Sequence, residues 1–192
     1  NFGNMFSVPA ALFLVPFLPM KPVQILLNNL LYDFAQVTIP TDMVDDDSVA
    51  EPKRWDIEFI KKFMIVFGPI SSLYDVLTYL VMLYVFHADA PLFQTGWFVE
   101  SLATQTLVIH VIRSRYSILR SRAGLPLTLS SLAVVAIGFV IPYTPVGRFF
   151  GFVPLPAAFF AVLLAMTAAY LAMVNAVKKV FYRKAGVWGA GI

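Results

Sequence analysis

Few residues in this chain have the types and spacing to do chemistry. Asp33 has Asn29 four positions before it and Gln36 three after it, so at 100° per residue the three share one helical face. Upstream, Asn1 and Asn4 are three apart and share a face of their own. Amide carbonyls with a carboxylate form the oxygen donor set that hard cations accept, and magnesium commonly takes one or two carboxylates while keeping several waters. The two stripes predict a site for a partly hydrated divalent cation on Asn1, Asn4, Asn29 and Asp33. The same groups can instead hydrogen-bond neighbouring helices as interhelical glue. Pro9 and Pro16 interrupt the first stripe's segment and Pro22 opens the second, and an interrupted helix frees carbonyls that can add to such a site.

The other polar positions are more open. Gln105 is a further ligand candidate, its amide oxygen able to face the hairpin of the first two segments. Asp75, six residues after the Gly68-Pro69 break and near Ser71 and Ser72, can relay protons, contact a second cation, or pair with a neighbouring helix. Glu100 is expected in the first turn of its segment, within reach of external water. His110, three residues from Arg113, reads as an interfacial side chain whose polar tip reaches water. The run Asp42, Asp45, Asp46, Asp47 and Glu51 can gather divalent cations, dock a basic surface, or stand as a solvated loop.

The elements that must position these groups follow from composition. Of 192 residues, 59% are hydrophobic and 13% charged, against about 25% charged in an ordinary soluble domain. The apolar residues fall into runs of membrane-spanning length. Spans are predicted at about 1–18, 23–39, 59–86, 97–112, 126–141 and 156–182, with a polar loop over 41–58. The first two, joined by Pro19-Met20-Lys21-Pro22, are expected to pack as a hairpin. The expected fold is an all-α membrane protein, a helical bundle of about six transmembrane segments. Of the 14 Lys and Arg, only Lys21 and Arg148 fall on one side of these spans, so the 41–58 loop, the Arg113–Arg122 loop and the C-terminus are placed in the cytoplasm. A helix from Asn1 to the outer turn measures about 25 Å at 1.5 Å per residue, less than the hydrocarbon thickness of about 30 Å. The first segment is therefore expected to be truncated and the chain to be part of a longer protein.

With no cysteine, disulfides, thiolate metal sites and cysteine nucleophiles are excluded. No phosphate-binding G-x-x-x-x-G-K loop, nucleophile elbow or zinc triad occurs, so these residues alone cannot bind and hydrolyse ATP. Nucleic acid is not an expected partner, because the basic residues are explained as flanks of the spans.

Two strings, NFGNMFS and FLPMKPVQILLNNLLYDFAQVTIPTDMVDDD, followed by FMIVFGPISSLYDVLTY and FQTGWFVESLATQTLVIHVIRSR, resemble helices five to eight of P-type cation ATPases. The likeness is nearest to the magnesium-transporting subclass and continues to helix ten. It implies that Asn29 and Asp33 are the ligands of the sixth-helix N-L-x-x-D motif, with Tyr32 where calcium pumps carry Thr. The fifth-helix N-x-x-E motif is similar to Asn1–Asn4 here, an amide replacing the carboxylate, which suits magnesium better than calcium-pump stoichiometry. Gln105 corresponds to the eighth-helix ligand position. The resemblance further implies Mg2+ as the transported ion, ATP used only in the parent protein, and a bacterial inner-membrane location. The 41–58 loop would contact a phosphorylation domain. That domain with its D-K-T-G motif, the nucleotide and actuator domains and helices one to four lie outside this chain. The rival reading is a non-enzymatic secondary cation transporter or ion-binding membrane subunit, in which Asp33 and Asp75 relay protons.

Overall fold

In a computed structural model, residues 2–42, 57–114 and 122–188 are described, without the side chains of 2, 4 and 184–188. Seven α-helices and no strand occur among them: α1 (Phe2–Leu14), α2 (Pro22–Gln36), α3 (Ile57–Leu80, continued by a π-turn over Val81–Val85), α4 (Ala90–Ile112), α5 (Leu125–Val140), the short α6 (Pro145–Phe149) and α7 (Ala157–Trp188).

Local chemistry sets several of the ends. Pro22 supplies a preset φ at the first position of α2, and the Lys21 N–H donates to Gln24 Oε1 at 2.9 Å, satisfying a backbone group that a helix start leaves open. Asp89 caps α4 by accepting from Leu92 N at 3.0 Å, with Pro91 in the first turn. Thr144 caps α6 through Gly147 N at 3.0 Å. α1 passes through Pro9 and stops at Leu14, before Pro16.

The bundle is built around α4, which packs against α2, α3, α5 and α7. Every residue from Phe93 to Thr106 is buried. Tyr79 and Met82 of α3, Phe93, Trp97, Phe98 and Leu102 of α4, and Phe159 and Leu163 of α7 form the main apolar core. A second cluster joins Phe67 and Tyr74 to Val111, Tyr170 and Val174. Three stretches are long and apolar enough to cross a membrane among the described residues: Ile57–Val85, Leu125–Tyr143 and Ala157–Arg183. α4 is not among them, although it has 23 residues, because polar side chains such as Gln94, Glu100 and Gln105 lower its hydropathy. A helix wrapped by protein on all sides can carry them, whereas one facing lipid cannot.

Two expectations need correcting. The first two helices do not form a packed hairpin: α1 lies mainly on α3, while α2 lies on α4 and α5. Gly3 permits the α1–α3 approach, since a Cβ there would meet the Ser71 Cβ at 2.9 Å, and Ser72 Oγ donates to the Gly3 carbonyl at 2.9 Å. α4 also begins seven residues before the expected Trp97, so the segment through Gly96 is helix rather than loop.

Candidate functional site

The predicted cation ligands fall into different settings. Asp33 is exposed on α2 and Asn29 is partly buried. Asn29 lines a cavity of about 40 Å³ with Asn28, Val8, Met20, Ile25 and Trp97, room enough for a water. Asn28, which the sequence pattern does not single out, is 3% exposed. Its Nδ2 donates to the Phe98 carbonyl at 3.3 Å while its Oδ1 is buried without a partner. Gln36, the third member of the α2 stripe, interacts with Tyr32 through its side chain. Gln105 is buried on α4; its Nε2 donates to Ser101 Oγ at 2.5 Å, and its Oε1 has no partner. It does not line the Asn29 cavity. Asn1 and the Asn4 side chain lie outside the described residues, as does the loop over 43–56.

A different group of polar residues is fully assembled. Asp75 of α3 is 2% exposed and Glu100 of α4 is 1% exposed. Asp75 Oδ2 accepts from Ser7 Oγ of α1 at 2.5 Å, and its Oδ1 accepts from the Trp97 indole Nε1 at 2.8 Å. Glu100 lies three residues after Trp97, on the face of α4 that Trp97 turns to Asp75, so the two buried carboxyl groups are neighbours. Tyr79 closes the ring by donating to the Ser7 carbonyl at 3.1 Å. Glu100 thus does not reach external water as expected. With α4 starting at Ala90, ten residues put Glu100 roughly 15 Å along the helix, in its most enclosed part. The signal was present: Trp97 and Glu100 are three apart and share a face, and mid-span Asp75 requires donors.

The charged ends are also more built than a topology count suggests. Asp42, at the start of the acidic loop, is not solvated. Its side chain is 2% exposed and pairs with Arg113, itself 4% exposed, while its Oδ1 accepts from Gly124 N at 2.6 Å. Lys178, expected as a cytoplasmic flank, is 0% exposed and donates to the carbonyls of Val111 at 2.5 Å and Ser114 at 3.0 Å. A cation there satisfies carbonyls that the α4 C-terminus leaves open and meets the negative end of its dipole. At the opposite end, Gln24 donates to the Phe150 carbonyl at 3.0 Å. The Lys21 side chain lies against Gly151 there, whose φ of +77° suits a residue without Cβ.

Three stretches of membrane-crossing length pack with a polar, enclosed central helix, the architecture of a helical membrane domain. The chain belongs to the family described as cation transporting ATPase, C-terminus, which matches residues 17–180, and is an integral membrane protein. It is similar to the magnesium-transporting ATPase, P-type 1, of Escherichia coli strain K12, with 44% identity over 191 residues. Proteins of the same name from Salmonella typhimurium are 43% identical in strain 14028s and 40% in strain LT2. These alignments cover 97 to 98% of this chain and 21% of each relative, so the chain spans about a fifth of the length of the curated relatives it matches.

Proposed function

We propose that this chain is the membrane-embedded ion-translocating part, helices five to ten, of a P-type ATPase that transports Mg2+. The observation that carries this reading is 44% identity, sustained over 97% of the chain, to a magnesium-transporting ATPase. In this reading Asp33 and Asn29 hold the ion, with Asn1, Asn4 and Gln105 completing the donor set and ordered waters filling the remaining positions. The placement of Asp33 supports it: an exposed carboxylate beside the exposed apolar side chains of Leu26, Leu30 and Phe34 has no stable place against lipid, and further helices of the parent would cover it. ATP hydrolysis belongs to cytoplasmic domains outside this chain. Their phosphorylation would shift the bundle between inward- and outward-open forms, and the Asp42–Arg113 pair would hold the start of the 41–58 loop against the bundle while the rest meets those domains. The parent sits in a bacterial inner membrane with Lys178 and Arg113 on the cytoplasmic side.

Asp33→Asn in the full-length parent tests this. The substitution keeps size and removes the charge, and is expected to abolish Mg2+-stimulated ATPase activity. Unchanged Mg2+ dependence would reduce Asp33 to interhelical glue. Against the secondary-transporter alternative, the coding sequence of the parent upstream of Asn1 is expected to contain D-K-T-G; its absence there removes the pump reading.

A further inference from the structure

We propose that Asp75 and Glu100 form a proton-binding site, separate from the α2 face, that holds one proton between two carboxyl groups, with the proton on Glu100 and the negative charge on Asp75.

The stoichiometry comes from the chemistry of neighbouring carboxyl groups. An ionised carboxylate only accepts, so two buried carboxyl groups side by side can bond to each other only with one proton between them. Asp75 is arranged as the charged partner: Ser7 Oγ donates to one of its oxygens and Trp97 Nε1 to the other. Glu100 is arranged as the neutral one. Its Oε2 is buried with no hydrogen-bond partner among the described residues, a costly position for an anionic oxygen.

The occupant is a proton rather than a metal ion. An indole N–H already occupies one Asp75 oxygen and cannot be a metal ligand, and no group of three or more His, Cys, Asp or Glu exists among the described residues. The other titratable groups facing the pair among the described residues are Tyr79 on α3 and Tyr170 on α7, and α1 contributes the Ser7 hydroxyl. No Lys, Arg or His side chain among the described residues compensates a second negative charge there. Two carboxylates this close and this buried cannot both ionise without such a cation.

The site joins three helices, because Ser7 belongs to α1, Asp75 to α3, and Trp97 and Glu100 to α4. Displacement of α1 withdraws one of the two donors from Asp75 and raises its demand for the shared proton. Proton occupancy is thereby tied to the position of α1, the helix that carries Asn4.

Infrared difference spectroscopy of the full-length parent, recorded on exchange between light and heavy water, reads the proton directly. The wild type is expected to show the C=O stretch of a neutral buried carboxylic acid that shifts on deuteration. Glu100→Gln should lose that band and still fold, because a neutral amide replaces a neutral acid of the same shape, whereas Asp33→Asn should keep it. Three results would overturn the proposal: no such band in the wild type, a band that persists in Glu100→Gln, or a Glu100→Gln protein that does not fold. None of them depends on Mg2+ transport, so the pair and the cation face stand or fall separately.

Discussion

Asp75 is a fully satisfied polar side chain at depth in this bundle, with a donor on each carboxyl oxygen. Trp97 combines a large apolar body in the main core with one donor aimed at Asp75. Trp97→Phe keeps most of the packing and removes only that donor, leaving a buried carboxyl oxygen short of a partner at a cost of about 1–3 kcal/mol. Thermal unfolding of the full-length protein in detergent should show the loss. Ser7→Ala is expected to act in the same direction, and because both residues serve one carboxylate their effects should couple in a double-mutant cycle. At this scale the sequence was only partly legible. Asp33 and Asn29 on one face follow from spacing, but Asn28 does not, because its burial depends on α2 lying against the Phe98 carbonyl of α4. No periodicity within one helix reports that contact.

Among the elements, α4 departs most from its reading in the sequence. A search for apolar runs finds segments facing lipid, and α3, α5 and α7 carry that signal. α4 is surrounded by protein, so its polar residues cost little where partners exist, and its start at Ala90 is marked by the Asp89 cap and Pro91 rather than by hydropathy. Missing that start is what misplaced Glu100. The expected α1–α2 hairpin failed for a related reason: a short turn fixes chain connection, while Gly3 and Ser72 fix which helix α1 lies on. Gly3→Leu should therefore separate α1 from α3, seen as faster backbone hydrogen exchange in both helices. Lys178 gives a second test. Lys178→Met keeps the stem and removes the ammonium, freeing the carbonyls of Val111 and Ser114. Exchange should then rise at the C-terminal turn of α4 and not at its Asp89 end.

For the molecule as a whole, the basic residues mark an end that is structurally tied together. Asp42 links the loop after α2 to Arg113 at the end of α4 and to Gly124 at the start of α5. Removing one partner of a buried pair costs about 3–5 kcal/mol, while replacing both with apolar residues of similar size is often neutral. Arg113→Met should therefore destabilise the protein more than the double change with Asp42→Leu, as read from unfolding midpoints. The all-helical membrane plan was legible from apolar runs, since these respond to the bilayer. How the helices pair was not, because that rests on contacts between residues far apart in the chain. The central claim, that the α2 face of Asn29 and Asp33 is where Mg2+ crosses, is tested most directly by Mg2+ flux in sealed vesicles carrying the full-length parent. ATP should drive flux in the wild type. Asp33→Asn should reduce it to the level of empty vesicles while phosphorylation by ATP persists, and full flux in Asp33→Asn would contradict the claim.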